Sequence, residues 1–211
     1  MCEYEAVYVP RRYEVSESDA WGVVESVGAG FLVVATVSGL RSVFAPVVAA
    51  PAKSKLFAHV SRGNPWWSDA HDGDAFLGLF RVADAYVSPS LYPGKQTDPR
   101  VAPTWNYDVV EIQGRVTIHD DPTVAERVVR DLTDQHESQR PERWSVDDAP
   151  PEFVSALLKG IVALEIDVVS IIGAAKLSQN QSDLDRLAVR DTFSRGDDRQ
   201  RAVARRMGST S

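Results

Sequence analysis

Val109-Val-Glu-Ile-Gln-Gly-Arg-Val-Thr-Ile118 alternates almost residue by residue. Val110, Ile112, Val116 and Ile118 fall on one face, and Glu111, Gln113, Arg115 and Thr117 on the other. A period of two belongs to a strand, whose successive side chains point to opposite sides. The spacing predicts a strand buried on one face, with a polar face that meets water or a partner. Other strand segments surround it. Phe31 to Val37 is rich in β-branched residues and stops at Ser38-Gly39, and Arg41 to Val48 resumes, which predicts a hairpin. Lys55 to Val60 and Ala75 to Phe80 are short strands, and Val162, Leu164, Ile166 and Val168 mark a late one.

Helical signals lie at the edges of this pattern. Ser16 or Ser18 caps a helix to Val27 with Trp21, Val24 and Val27 at helical spacing. Asp121-Pro122 starts another, with an apolar stripe of Val124, Val128, Val129 and Leu132. Arg140 to Pro151 reads as a polar loop, Pro151 to Leu158 as a short helix, and the chain beyond Lys176 as charged helix. Five to seven strands with few helices between them argue against a doubly wound parallel sheet. The expected fold is mainly β with peripheral helices (α+β), an antiparallel barrel. Residues 1–175 form the barrel domain with its N-terminal helix and helical insertions, and 176–211 a helical tail packed on the same domain. Gly28-Ala-Gly30 has no third glycine and no strand before it, so it is not a dinucleotide loop.

The chain has 211 residues, 44% hydrophobic and 25% charged, which suits one globular domain and excludes wholesale disorder. A single cysteine, Cys2, excludes internal disulfides and cysteine-rich metal sites. No apolar run reaches the roughly 20 residues of a membrane span, and Met1-Cys2-Glu3-Tyr4-Glu5 is unlike a signal peptide, so the expectation is a cytoplasmic protein. Thirty acidic residues against 23 Lys and Arg disfavour a phosphate backbone at long range. Seven arginines between Arg186 and Arg206 read as the solvated face of terminal helices, with an anion patch as the other reading.

Four clusters resist a packing explanation: His59-Val-Ser-Arg62-Gly-Asn64-Pro-Trp66-Trp67, Tyr86-Val-Ser88-Pro-Ser90-Leu-Tyr92, Pro103-Thr104-Trp105-Asn106-Tyr107 and Lys176-Leu-Ser178-Gln179-Asn180. Each sits at a strand end or in a loop, where a barrel mouth offers a ligand site. Against this stand plainer readings: a histidine bonded in the core, aromatics that only pack, and Arg62 and Lys176 as surface charges.

Together with Tyr8-Val9-Pro10, these motifs resemble the PaiB-type FMN-binding negative transcriptional regulators, from about Val7 to Met207. The resemblance implies a homodimeric split β-barrel. It also implies a choice of functions: FMN-binding repression, or, in a branch that binds haem b, L-piperazate synthesis by closing an N–N bond in N5-hydroxy-L-ornithine, with a flavin-dependent oxidoreductase on the same barrel as a third. This chain departs from the regulator pattern. Ser42-Val-Phe44-Ala-Pro46 and Val82-Ala-Asp84-Ala-Tyr86 lack two histidines usual there.

The two cofactors make different demands. Flavin needs donors for its phosphate and ring, which Arg62, Lys176, Ser178 and Gln179 supply by type. Haem needs an axial ligand. Of the four histidines, His71 is in a polar turn, His119 precedes Asp120-Asp121 at a strand end, and His136 is on a helix's polar side. Only His59 has strand neighbours and a site motif, so it is the expected iron ligand. The expected cofactor-binding set is His59, Arg62, Asn64, Ser88, Trp105, Asn106, Ser178 and Gln179. Arg62 is assigned to the substrate carboxylate, and Lys176, Tyr92 or Tyr107 to proton transfer. The leading expectation is the haem-dependent synthase, with FMN-binding regulation as the alternative.

Overall fold

A computed structural model describes residues 7–209, and Cys2 lies outside them. In chain order the elements are β1 (Glu14–Val15), α1 (Glu17–Val27), β2 (Ala29–Thr36), β3 (Gly39–Ala49), β4 (Lys55–Ser61), β5 (Ala75–Val87), β6 (Thr104–His119), α2 (Pro122–Glu137), α3 (Pro151–Leu158), β7 (Ile161–Lys176), α4 (Asp183–Ser194) and α5 (Asp198–Ser209). The strand order is β1-β7-β4-β3-β2-β5-β6, and β6 pairs back onto β7, so six strands close on themselves. The registered pairings are antiparallel, from Phe31 opposite Phe44 in the expected hairpin to His59 opposite Ala163. The expected α+β antiparallel barrel is the observed fold.

The chain divides into two compact units. The barrel unit comprises Val24–Phe80 and Glu111–Ile171. The terminal unit comprises the segment up to Val23, Arg81–Val110 and the segment from Ile172. The boundary expected after residue 175 falls inside the terminal unit, within β7.

In the barrel unit, alternation sorts the side chains. Leu32 and Val34 of β2, Leu56, Ala58 and Val60 of β4, Ile112 and Val116 of β6, and Val162, Leu164 and Ile166 of β7 are buried. Gly114 sits where β6 closes on β7: a Cβ there would run into the Asp167 carbonyl oxygen, so a side chain would pry the strands apart. The opposite face of β4 carries Lys55, Phe57 and His59, partly buried. Helix α2 lies outside it. Asp121 Oδ1 accepts from the Thr123 amide at 2.8 Å and Pro122 opens the first turn, as the sequence indicated. Ala125, Val128 and Leu132 bury their stripe with Leu158 and Ala163, and Phe57, Val129, Val154 and Ile161 pack at the edge. Full burial of a side chain such as Val128 or Leu132 stabilises by roughly 1.5–3 kcal/mol.

The terminal unit has its own core: Ala83, Ala85 and Val87 of β5, Tyr92, Ala175, Leu177, Val189 and Phe193 of α4, and Val203 and Met207 of α5. Two sequence boundaries need correction. Strand β5 runs on to Val87 rather than stopping at Phe80, and β6 already includes the Thr104–Tyr107 motif that was expected to precede it. The missed stretches carry Ala83, Asp84, Ala85 and Asn106, poor strand formers by type, among better ones. Their alternate burial (Ala83, Ala85, Asn106, Asp108) shows packing overriding that preference. The expected loop before α3 contains one 3-10 turn, Val146–Asp148, closed by a capping box from Ser145 and Asp148.

Candidate functional site

Strand β4 presents His59 on the side away from the barrel interior, where α3 and the segment before it leave a gap. The result is a cavity of about 280 Å³, whose walls include Val129, Trp144, Phe153, Leu157 and Ile161. It opens to solvent, because Phe153, Leu157 and Trp144 are 54%, 57% and 48% exposed. His59 is the one titratable side chain in an otherwise apolar wall, and its ring makes no hydrogen bond to any described residue. Burial pushes its pKa below the ordinary histidine value, because the charged ring loses water without gaining a counter-ion. At neutral pH the imidazole is therefore uncharged, the form whose nitrogen lone pair binds metals.

The other motif residues of the barrel unit are already engaged. Arg62 donates to the Lys159 and Ile161 carbonyl oxygens at 2.9 and 3.2 Å, pairs with Asp120, and lies 5.6 Å from the Trp67 ring. Asn64 Oδ1 accepts from the Trp66 amide at 2.9 Å, an Asx turn that folds the loop after β4. Trp66 is buried core, and Trp67 Nε1 donates to the Arg62 carbonyl at 2.8 Å.

The remaining motif residues lie in the terminal unit, most of them tied to one another. Asn106 and Ser178 are buried and share a hydrogen bond of 2.9 Å, with Ser178 held at φ 64°, a strained backbone for a non-glycine residue. Lys176 Nζ donates to Thr104 Oγ1 at 2.5 Å. Gln179 accepts from the Leu177 amide and donates to the Ala175 carbonyl. Ser88 caps the 3-10 turn Pro89–Leu91. Tyr92 is core, and its buried hydroxyl has no partner. Burial and then the nearby Asp185 charge raise its pKa, keeping the phenol neutral. Trp105 is partly exposed, with Nε1 3.2 Å from Asp84 Oδ2 and the Tyr86 ring edge-on at 6.1 Å. Tyr107 is half-buried. Sequence reasoning missed Asp108, fully buried and paired with Arg206 of α5. It also missed the cavity walls Trp144, Phe153 and Leu157. Two apolar residues four apart on a short helix, Phe153 and Leu157, were the available signal.

The seven terminal arginines are not a free basic face. Arg190, Arg199, Arg201 and Arg206 each contact a carboxylate, on Asp191, Asp84, Asp198 and Asp108. Arg186 donates to the Met207 carbonyl at 2.9 Å.

Comparison with known proteins gives the family and the fold. The family described as "Putative FMN-binding domain" matches residues 7–170. The chain belongs to it. A PaiB-type relative, the "Protease synthase and sporulation protein PAI 2" of Bacillus subtilis, is 27% identical over 186 residues, 87% of each chain. An uncharacterised Aspergillus fumigatus protein is 33% identical over 125 residues, 51% of this chain, which spans about half of that protein's length. Among solved structures, the flavocytochrome Anf3 of Azotobacter vinelandii superposes with a TM-score of 0.59 at 10% identity, covering 86% of this chain and 78% of that one. An FAD- and haem-binding protein of Mycobacterium smegmatis gives 0.55 at 13%, covering 82% and 78%. At such identities these two show the fold alone.

The family's cofactor has to suit the residues present. The His59 cavity offers apolar walls and one neutral imidazole, a donor set chemically suited to an iron porphyrin: His59 would hold the metal. The apolar walls would equally face an isoalloxazine ring, with His59 as the single polar side chain for its heteroatoms. No helix of the described residues is long and apolar enough to cross a membrane.

Proposed function

We propose that this chain is an FMN-binding protein of the PaiB kind, with the flavin ring against the outer face of the barrel at His59 and a regulatory rather than catalytic role. The family match over residues 7–170 carries this reading, and similarity to the PAI 2 protein across 87% of both chains supports it. Direct reading of DNA does not suit this charge distribution. The net charge is −7, and four of the seven arginines of α4, α5 and the turn between them are in ion pairs. Regulation through a bound ligand or a second protein suits these charges better.

One observation favours a second reading, the haem-dependent L-piperazate synthase. His59 is a neutral, unbonded imidazole at an apolar cavity, and of two proteins of the same fold one is named for FAD and haem and the other as a flavocytochrome. Bound haem would supply a Lewis-acidic iron; the substrate N5-hydroxy-L-ornithine would close its N–N bond with loss of water. On this reading Arg62 has to leave Asp120 to hold the substrate carboxylate. Both readings take the family's homodimer as the working assembly.

One spectrum separates them. The protein, produced with added haem precursor, is measured beside His59→Ala. Paired flavin bands, weakened in the variant, are the expected result. An intense Soret band that shifts or vanishes in the variant overturns the flavin reading in favour of the haem enzyme.

A further inference from the structure

Helix α3 is apolar and yet almost unburied. Its eight residues include Phe153, Val154, Leu157 and Leu158, but Leu158 is its only buried side chain and six of the eight are exposed. A surface helix normally turns its apolar stripe onto the core and its polar residues outward. Here Phe153 and Leu157, four residues apart and so on one face, line the open cavity at His59 instead. Behind the helix, towards the start of α2, lies a second cavity of about 410 Å³, and Val154 and Leu158 border both. Space on either side leaves α3 little packing to resist displacement, and a segment with few buried apolar contacts moves at low cost.

The chain is fastened at both ends of α3, though the helix itself is not. Before it, Ser145 and Asp148 close the capping box of the 3-10 turn, and Asp147 pairs with Arg130 of α2 at 2.9 Å. After it, the Arg62 amide donates to the Gly160 carbonyl at 2.8 Å, and the Arg62 guanidinium donates to the Lys159 and Ile161 carbonyls. Between these fixings the first turn of α3 has no side-chain cap. The arrangement is that of a flap, held at its ends, with an apolar middle at the mouth of a cavity.

We propose that α3 is a lid on the His59 cavity, which tips towards β4 and lays Phe153 and Leu157 over a ring bound at His59, closing it off from water. This rests on the reading that the cofactor occupies that cavity. Closure buries two side chains that are otherwise 54% and 57% exposed. Apolar contact made only with a ring in place ties closure to binding.

The test follows backbone hydrogen exchange and the ring NMR signal of His59 in the full-length protein, alone and with FMN, haem replacing FMN if the signal does not move. A signal moved by the ligand places it at His59. The amides of residues 153–158 should then exchange about tenfold more slowly than in the protein alone. Phe153→Ala and Leu157→Ala should each speed ligand release about tenfold and change association less than twofold. Ala156→Ser, at a residue that lines neither cavity, should change neither rate. Unchanged exchange at 153–158 with the His59 signal moved overturns the lid and leaves the placement standing. An effect of the two truncations on association instead of release marks a fixed wall and overturns it too. Protection that is present without ligand and rises with protein concentration assigns this face to a second copy of the chain, against the proposal. If neither ligand moves the His59 signal, the placement falls and the lid falls with it.

Discussion

The polar cluster of the terminal unit and His59 of the barrel unit are built in opposite ways. In the terminal unit Asn106, Ser178 and Asp108 are buried and bound to one another or to α5. In the barrel unit His59 stands half-buried with no hydrogen bond, beside apolar walls open to solvent. A buried polar group costs free energy unless paired, so the first arrangement is what a stable core requires. The second leaves the ring nitrogens without a partner among the apolar walls. A sequence shows the same kind of residue in both places, and only the partners distinguish a fold's polar rivet from a group kept available.

Removing a partner should therefore hurt the terminal unit most. Asp108 is fully buried and pairs through Oδ2 with Arg206, while its Oδ1 has no partner. Arg206→Ala strands a buried carboxylate, which costs about 3–5 kcal/mol in such cases, read as a fall in the urea midpoint at unchanged slope. The double variant Asp108→Leu/Arg206→Met should recover most of that loss, since an apolar pair of similar volume carries no desolvation penalty. A single variant near the parent's stability would mean that the pair is not a rivet, and the contrast between the units would collapse.

The Asn106–Ser178 bond is neutral and should cost less. Asn106→Ala leaves the buried Ser178 hydroxyl without its partner, a loss of about 1–3 kcal/mol. Ser178→Gly loses the same bond but relieves a residue held at φ 64°, where glycine is at ease. It should therefore destabilise less than Asn106→Ala, and the reverse order in denaturant melts would show that the backbone there is not strained.

The barrel was legible from alternation alone, because β6 is buried strictly on one side over most of its length. The ends of β5 and β6 were not, since Ala83, Ala85 and Asn106 acquire strand conformation from what they pack against, a long-range fact. His59 stood out because its neighbours on β4 are strand residues and its motif has no packing logic. Its cavity was hidden: Trp144, Phe153 and Leu157 come from a loop and a two-turn helix nearly 100 residues away, and pattern does not reveal which face of α3 meets β4. Arg62 read as a free cation because the sequence gives no distance to Asp120.

His59 itself should show the smallest stability effect and the clearest pH signature. With no hydrogen bond to lose, His59→Ala should shift the unfolding free energy of the ligand-free protein by less than about 1 kcal/mol. Its pKa is depressed by burial, so the unfolded chain binds a proton more readily than the folded one. Stability from this group is thus fully present above the unfolded value of about 6.5 and declines as pH falls through the lower folded value. Any ligand that bonds the ring nitrogen leaves over the same window, since the proton takes the same lone pair. An NMR titration of the ring would find its midpoint below 6.5, and a midpoint above it would mean an acidic group neutralises His59. That group would have to come from outside the described chain, which would turn the open side of the cavity into an interface.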